Sequence, residues 1–121
     1  MDDEKFLLDA LSKIIRSLGY TVETASSGLD AIALFREAKL TNEPFDAVIL
    51  DLTVPGGMGG KQAMQEIRLT DPDVKAIATS GYSEDPVNAD PETFGFRGAL
   101  RKPYSIEELS AVLEKVLSEP S

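Results

Sequence analysis

The sequence predicts an α/β fold built on a doubly wound parallel sheet. Segments of strand-like composition alternate with helical repeats along the 121 residues, and this alternation favours right-handed crossovers that place helices on both faces of a sheet. The run from Phe45 to Leu50 is nearly all apolar, which is typical of a strand buried on both faces. With domains of about 150 residues as the guide, the length predicts one domain over residues 1–121.

The first half of the chain contains two predicted helices and two predicted strands. Apolar residues at helical spacing precede Gly19, which is a common stop signal. A short run rich in β-branched and aromatic residues follows it. Ser26 and Ser27 can cap the next helix. The elements expected in this half are a helix over 3–18, a strand over 20–25, a helix between 28 and 40, and a strand over 45–50.

The second half continues the alternation. The glycine-rich segment 55–60 cannot form regular structure, and apolar residues at helical spacing follow it. Pro91 lacks an N–H group and therefore breaks any long helix in the stretch 83–96. Ser105 and Glu108 have the spacing of a capping box. The elements expected here are a helix after residue 60, strands over 74–79 and 99–101, and a final helix from residue 106.

The composition excludes several classes of function. The chain has 12 Lys and Arg against 21 Asp and Glu, a net charge of -9, which repels nucleic-acid phosphates and anionic lipids. It has no Cys and no His, so thiolate nucleophiles, imidazole bases and N/S-ligated metal sites are excluded. Carboxylates and hydroxyls remain, and these suit Mg²⁺. No apolar run is long enough for a membrane span or a signal peptide, so we expect a cytoplasmic protein without membrane insertion.

The candidate site follows from the rule that ligands bind at the carboxyl ends of the strands in such sheets. Asp51 directly follows the apolar run, and 79–81 and Lys102 follow the next two predicted strands. The acidic residues Asp2 and Asp3 stand just before the first helix. The topology therefore predicts that carboxylates, a hydroxyl and an ammonium meet at one edge of the sheet.

Four short motifs stand at these positions. They are Asp2-Asp3-Glu4, the segment 51–56, Ser80-Gly81-Tyr82 and Lys102-Pro103-Tyr104. In this order they resemble the response-regulator receiver domain, the phospho-acceptor half of two-component signalling. The resemblance covers nearly the whole chain and is greatest to receivers appended to hybrid sensor kinases. It implies a flavodoxin-like sheet with the strand order 2-1-3-4-5.

The resemblance also implies a chemistry. Asp51 is the carboxylate that a partner's phosphohistidine phosphorylates in a Mg²⁺-dependent reaction. By the same resemblance, we expect the partner to be a sensor histidine kinase or a histidine phosphotransfer domain, and we expect the chain to catalyse only its own phosphorylation and dephosphorylation. Lys102 and Ser80 contact the phosphoryl oxygens, and the Lys102–Pro103 peptide bond is cis. The implied ligands of Mg²⁺ are Asp2, Asp3, Asp51 and the backbone carbonyl of Thr53.

Each motif also has a purely structural interpretation. Acidic residues in a first helical turn interact with the macrodipole, and Asp51 can simply end a strand. Two other functions therefore stay open: a phosphorylation-independent protein-binding module of the same fold, and an aspartyl-phosphate hydrolase of the haloacid-dehalogenase type. The hydrolase signature needs a second Asp as general acid where this chain has Thr53, which argues against that interpretation.

The largest departure from the family pattern concerns the first strand. Receivers begin with an apolar strand directly before the acidic pair, and here only Met1 stands in that place. Four or five buried residues, at ~1.5–3 kcal/mol per large apolar side chain, contribute on the order of 5–10 kcal/mol, against a typical total of ~5–15 kcal/mol. We therefore expect a truncated or mis-started receiver, or a gap closed by rearrangement or by a strand from another chain, with weak Mg²⁺ affinity and slow phosphorylation.

Three smaller departures concern the loops and the fourth helix. The segment 55–60 has an extra glycine relative to the commoner form of this loop. Ala99 stands three residues before Lys102, where many receivers have a Tyr or Phe that moves on activation, so an aromatic switch there is excluded. Pro91 shortens the fourth helix, which argues against dimerisation through that helix.

Overall fold

The structure is a computed structural model that describes residues 1–54, 57–81 and 86–120, without the side chain of Asn88. The strands are β1 (Val48–Asp51), β2 (Ala76–Ser80) and β3 (Gly98–Arg101). The helices are α1 (Lys5–Ser17), α2 (Gly28–Leu40), α3 (Gly60–Thr70), α4 (Pro86–Ala89) and α5 (Ile106–Ser118), with a 3₁₀ turn at Pro91–Phe94. The sequence predictions at Pro55, Gly56 and Tyr82, and at positions 83–85, lie outside the described residues.

The three strands form one parallel sheet in the order β1-β2-β3. The register pairs Asp51 with Thr79 and Ser80 with Arg101. The carboxyl ends of all three strands therefore lie at one edge of the sheet. They correspond to the last three strands expected from the sequence, but their bounds differ. The first was expected over 45–50 and is observed at Val48–Asp51, and the last begins at Gly98 rather than residue 99. The middle strand lies at Ala76–Ser80 rather than 74–79, because the Val74 N–H donates to the Asp71 carbonyl in a turn.

Two apolar clusters cover opposite faces of the sheet. One joins β1 and β2 to α2 and α3, and the other joins β2 and β3 to α1 and α5. Alternate residues of β2 supply both clusters: Ala76 and Ala78 contact the first, and Ile77 contacts the second. All five residues of β2 are buried. The predicted doubly wound arrangement is confirmed, since a strand buried on both faces requires helices on both sides.

The strand predicted over residues 20–25 is wrong. These residues adopt no regular strand, although Tyr20 and Val22 pack against the second cluster. A strand needs a hydrogen-bonded neighbour. Within residues 1–54, 57–81 and 86–120, residues 20–25 have one ladder-like bond to another segment, in which the Asp2 N–H donates to the Ala25 carbonyl at 3.1 Å. In the described residues no strand precedes α1.

Several local predictions are confirmed. Ser105 and Glu108 form the capping box at the start of α5. The helix before Pro91 ends at Ala89, and the Lys102–Pro103 peptide bond is cis. Helix α1 begins at Lys5 rather than residue 3, because the Asp2 carboxylate accepts from the Glu4 N–H at 2.9 Å and holds residues 2–4 in a turn.

Gly60, the first residue of α3, lies against the end of β1. A Cβ atom at this position would lie 2.7 Å from the carbonyl oxygen of Asp51. Because that oxygen belongs to a buried strand, we expect Gly60→Ala to lower the free energy of unfolding by about 1–3 kcal/mol in urea denaturation. At Gly81 a Cβ would meet no atom of the described residues within 4 Å, so Gly81→Ala should change the free energy of unfolding by less than about 0.5 kcal/mol. Equal losses in the two variants would contradict the close approach of α3 to β1.

Candidate functional site

Backbone hydrogen bonds assemble the candidate site at the carboxyl edge of the sheet. The Met1 amino group donates to the Ile49 carbonyl at 2.7 Å, and the Asp51 N–H donates to the Met1 carbonyl at 3.0 Å. This short ladder places Asp2 beside Asp51. From the other side, the Lys102 N–H donates to the Ser80 carbonyl at 2.8 Å. Four segments distant in sequence therefore meet at the point that the strand-end rule predicts.

The carboxylates of Asp2, Asp3 and Asp51 form a compact cluster. One oxygen from each lies within 4.8 Å of the others. Asp2 and Asp51 are each only 3% exposed, whereas Asp3 is exposed to solvent. An all-oxygen set of this kind is what Mg²⁺ prefers, and three carboxylates this close repel one another without a cation. The structure thus brings together the three carboxylates among the four predicted metal ligands.

The Lys102 ammonium contacts two carboxylates of this cluster. Its Nζ lies 2.7 Å from Asp2 Oδ2 and 3.4 Å from Asp51 Oδ2. Only the first distance is that of a good charge-assisted hydrogen bond. The structure therefore brings the predicted Lys102 to both carboxylates and pairs it more closely with Asp2.

Asp51 is held by the backbone that follows it. The Thr53 N–H donates to Asp51 Oδ1 at 3.2 Å, and the Leu52 N–H donates to the Thr79 carbonyl at 2.9 Å. Thr53 thus lies next to the acidic cluster, and the proposed use of its carbonyl as a ligand stays a prediction. Ser80 is fully buried at the end of β2 and is bonded to the Lys102 backbone. The contact of its hydroxyl with a phosphoryl group also stays a prediction.

The electrostatics of the site follow from burial and from these neighbours. Burial raises the pKa of Asp51 above its ordinary value, and the charge of Asp2 acts in the same direction, while the hydrogen bond from Thr53 and the charge of Lys102 oppose the rise. Burial alone would lower the pKa of Lys102, but its hydrogen bond to Asp2 and the charges of Asp51 and Asp2 together raise it. Lys102 therefore stays protonated. The cluster of three carboxylates can still bind a cation.

Two groups near the site have surroundings that the sequence did not predict. The Met1 amino group bonds to β1, and burial lowers the pKa of this ammonium. The Tyr104 hydroxyl is buried and, in the described part of the chain, has no hydrogen-bond partner. Tyr104 packs against the second apolar cluster, and its position two residues after Lys102 was the only signal in the sequence that it lies near the site.

The buried hydroxyl leads to a prediction for Tyr104→Phe. An unpaired buried hydroxyl is costly, so the substitution should raise the free energy of unfolding by up to about 1 kcal/mol at neutral pH. Burial raises the pKa of Tyr104 to about 12, whereas the pKa of a tyrosine in the unfolded chain is ~10. Between these values the folded protein retains the proton that the unfolded chain releases, so this contribution to stability falls as pH rises.

Urea denaturation at pH 8 and near pH 11 measures both effects. The wild-type protein should lose more stability between the two pH values than Tyr104→Phe, because only tyrosine releases this proton. An equal loss in both proteins would contradict the burial of the hydroxyl.

Comparisons with known proteins point to one protein family. The protein-family model for the response regulator receiver domain matches residues 1–114. The chain is 33% identical over 119 residues to the sensor kinase CckA of Brucella abortus, covering 98% of this chain and 12% of that protein. It is 26% identical over 117 residues to sporulation initiation phosphotransferase F of Bacillus subtilis, covering 97% of this chain and 90% of that protein.

A solved structure shows the same fold. The receiver domain of sensor histidine kinase PA1611 from Pseudomonas aeruginosa matches with a TM-score of 0.83 at 23% identity, covering 98% of this chain and 94% of that one. That protein was solved with a magnesium ion coordinated in its active-site cleft. Over the ranges described here, none of the helices combines the length and the apolar character that crossing a bilayer requires.

Proposed function

Because the chain belongs to the response regulator receiver domain family, we propose that it accepts a phosphoryl group from a phosphohistidine onto Asp51 in a Mg²⁺-dependent reaction. The observation that carries this proposal is the meeting of Lys102 with the carboxylates of Asp2 and Asp51 at the carboxyl edge of the sheet. The names of the two relatives, a sensor kinase and a phosphotransferase, support it.

Each residue of the site has a proposed role in the transfer. An Asp51 carboxylate oxygen attacks phosphorus as the bond from phosphorus to the imidazole nitrogen breaks, so the product is an aspartyl phosphate and the imidazole leaves. Lys102 turns from Asp2 to the phosphoryl oxygens, and the Ser80 hydroxyl donates to one of them. In dephosphorylation, water attacks phosphorus and the Asp51 carboxylate is released.

The acidic cluster fits a divalent cation. Asp2, Asp3 and Asp51 offer oxygens within 4.8 Å of one another, and we propose that the Thr53 carbonyl adds a fourth. When bound, Mg²⁺ supplies the positive charge that a transferring phosphoryl group requires. The magnesium in the cleft of the Pseudomonas relative supports this assignment.

The proposed partner is a sensor histidine kinase or a histidine phosphotransfer domain. The chain covers only 12% of CckA, so the kinase activity of that relative is not carried over. We propose that this chain catalyses only its own phosphorylation and dephosphorylation. Its composition supports that limit, since it lacks the His and Cys that general acid–base and thiolate chemistry use most often.

Incubation with acetyl phosphate tests the proposal. With Mg²⁺ present, intact-mass spectrometry should show the addition of one phosphoryl group, and hydroxylamine should remove it because an acyl phosphate is labile to that nucleophile. Chelation of Mg²⁺ with EDTA should prevent the addition. A folded protein that gains no adduct, while the Bacillus phosphotransferase gains one in parallel, would contradict the proposal and favour the phosphorylation-independent binding module.

A further inference from the structure

Three leucines on α2 and α3 are exposed to solvent. Leu29 is 67% exposed, Leu40 87% and Leu69 78%. In the part of the chain that the structure describes, these are three of the six large apolar side chains that are exposed. Single exposed leucines are common on protein surfaces, but several that border one surface are typical of an interaction site.

The spacing along α2 places two of these leucines in one stripe. Leu29, Ala33, Arg36 and Leu40 follow one another at intervals of four, three and four residues, and all four are exposed. Residues at this spacing lie on one face of a helix. The stripe is about 16 Å long, at ~1.5 Å for each position. The small side chain of Ala33 in its middle leaves space for the side chains of a second helix.

Two ion pairs join this stripe to α3 and the residue after it. Arg36 Nη2 lies 3.5 Å from Glu66 Oε2, and Lys39 Nζ lies 3.5 Å from Asp71 Oδ2. Leu69 follows Glu66 by three positions and therefore lies on the same side of α3. The exposed leucines of both helices thus border one surface, which we call the leucine face and which consists of Leu29, Ala33, Leu40 and Leu69.

The unpaired charge beside the leucine face is negative. Its two cations, Arg36 and Lys39, are already paired with carboxylates. Asp30 and Glu37 are exposed, and neither forms an ion pair within the described residues. They are seven positions apart, so both lie on the same flank of α2, about 10 Å from each other along the helix axis.

This acidic flank discriminates between possible occupants of the leucine face. A second copy paired by two-fold symmetry would lie with its α2 antiparallel to this one, and the same flank of both helices would meet. Carboxylates would then face carboxylates. An anionic lipid surface would be repelled by the same groups and by the net charge of -9. A helix with basic residues along one flank meets opposite charge instead.

We propose that the leucine face binds an amphipathic helix of a partner protein. That helix has apolar side chains at every third or fourth position, which pack between Leu29, Leu40 and Leu69. On one flank it has two Lys or Arg residues seven positions apart, which lie opposite Asp30 and Glu37. The leucine face uses none of the residues to which we assign phosphoryl transfer, so this inference goes beyond the proposed function and is tested independently of it.

Synthetic helical peptides of about 18 residues test the proposal on the full chain. The first peptide has leucine at every third or fourth position and lysine along one flank. It should bind in fluorescence anisotropy and should shift the amide resonances of residues 29–40 and 62–69. A second peptide with glutamate in place of lysine should bind several-fold more weakly. A third, with the composition of the first in scrambled order, has no apolar stripe and should shift none of these resonances selectively.

Variants of the chain identify the surface that the first peptide uses. Leu40→Gln and Leu69→Gln should each weaken binding by about 10-fold, and Glu37→Gln should weaken it several-fold. The matched controls are Phe6→Gln, which removes an apolar side chain that is 94% exposed on α1, and Glu114→Gln on the exposed side of α5. Both controls should bind the peptide like the wild-type protein. All these side chains are exposed, so we expect every variant to fold.

Several results would overturn the proposal. Equal binding of the scrambled peptide, or shifts centred on Asp2, Asp3 and Asp51, would mean that charge alone attracts the peptide. A dimer of the chain by itself in sedimentation velocity, abolished by Leu40→Gln, would assign the leucine face to a second copy. Binding to phosphatidylglycerol vesicles that Leu40→Gln abolishes would assign it to a membrane. Labelling by acetyl phosphate should be the same in Leu40→Gln and the wild-type protein, which separates this test from that of the proposed function.

Discussion

Asp51→Asn is expected to abolish the phosphoryl adduct formed with acetyl phosphate and Mg²⁺. The neutral amide oxygen of asparagine is a much weaker nucleophile towards phosphorus than a carboxylate oxygen. The substitution keeps the side-chain shape and an oxygen that can accept from the Thr53 N–H, which is 3.2 Å from Asp51 Oδ1 in the wild-type protein. Intact-mass spectrometry should therefore show no addition under conditions that label the wild-type chain.

Asp46→Asn is the matched control, because Asp46 is exposed just before β1, at the opposite end of the sheet. It should be labelled like the wild-type protein. An adduct of undiminished yield on Asp51→Asn would place the acceptor elsewhere and would contradict the assignment of Asp51.

The stability of Asp51→Asn shows whether the variant loses the adduct because it cannot react or because it does not fold. Burial raises the pKa of Asp51, so the folded protein holds a proton there at pH values at which the unfolded chain has released it. The contribution of Asp51 to the free energy of unfolding therefore falls as pH rises through the interval between its ordinary and its raised pKa. Asparagine has no such dependence. Without metal, we expect Asp51→Asn to be at least as stable at neutral pH as the wild-type protein, as thermal melts would show.

Features encoded in short stretches of sequence were predicted well. The second half of the apolar run 45–50 forms β1 together with Asp51, and Ser105 and Glu108 cap α5. Both depend on residues within a few positions of one another. The rule that sites form at the carboxyl ends of strands then predicted that Asp51 and Lys102 lie close together. Parallel strands bring their carboxyl ends to one edge of the sheet, whatever the conformation of the loops between them.

Features that depend on a distant partner were not predicted. Residues 20–25 have the composition of a strand, yet they lack the neighbour that would complete a ladder. Lys102 lies closer to Asp2 than to Asp51. This difference depends on the position of residue 2, which is set by the two backbone hydrogen bonds between Met1 and β1. Tyr104 packs against an apolar cluster that includes Ile15 and Ile77. None of these features follows from residue spacing, since each is set by contacts between residues that are distant in the sequence.

Lys102→Met is expected to have opposite effects on metal binding and on phosphorylation. The ammonium lies 2.7 Å from Asp2 Oδ2 and 3.4 Å from Asp51 Oδ2, so it occupies oxygens that a divalent cation would use and repels that cation. Its removal should increase the affinity for Mg²⁺ several-fold in calorimetric titration. The rate of labelling by acetyl phosphate should fall by about 100-fold or more, because the charge that stabilises the transferring phosphoryl oxygens is lost.

Lys115→Met, on the exposed face of α5, removes the same charge away from the site and should change neither quantity by more than a small factor. The opposite signs distinguish the proposed role from a structural one. A lysine that merely held Asp2 and Asp51 in place would, when lost, weaken metal binding and labelling together, since both would depend on the same disordered carboxylates. A parallel fall in the two measurements would therefore assign Lys102 to positioning the cluster, whereas divergence requires that its ammonium competes with the cation before transfer and contacts the phosphoryl group during it.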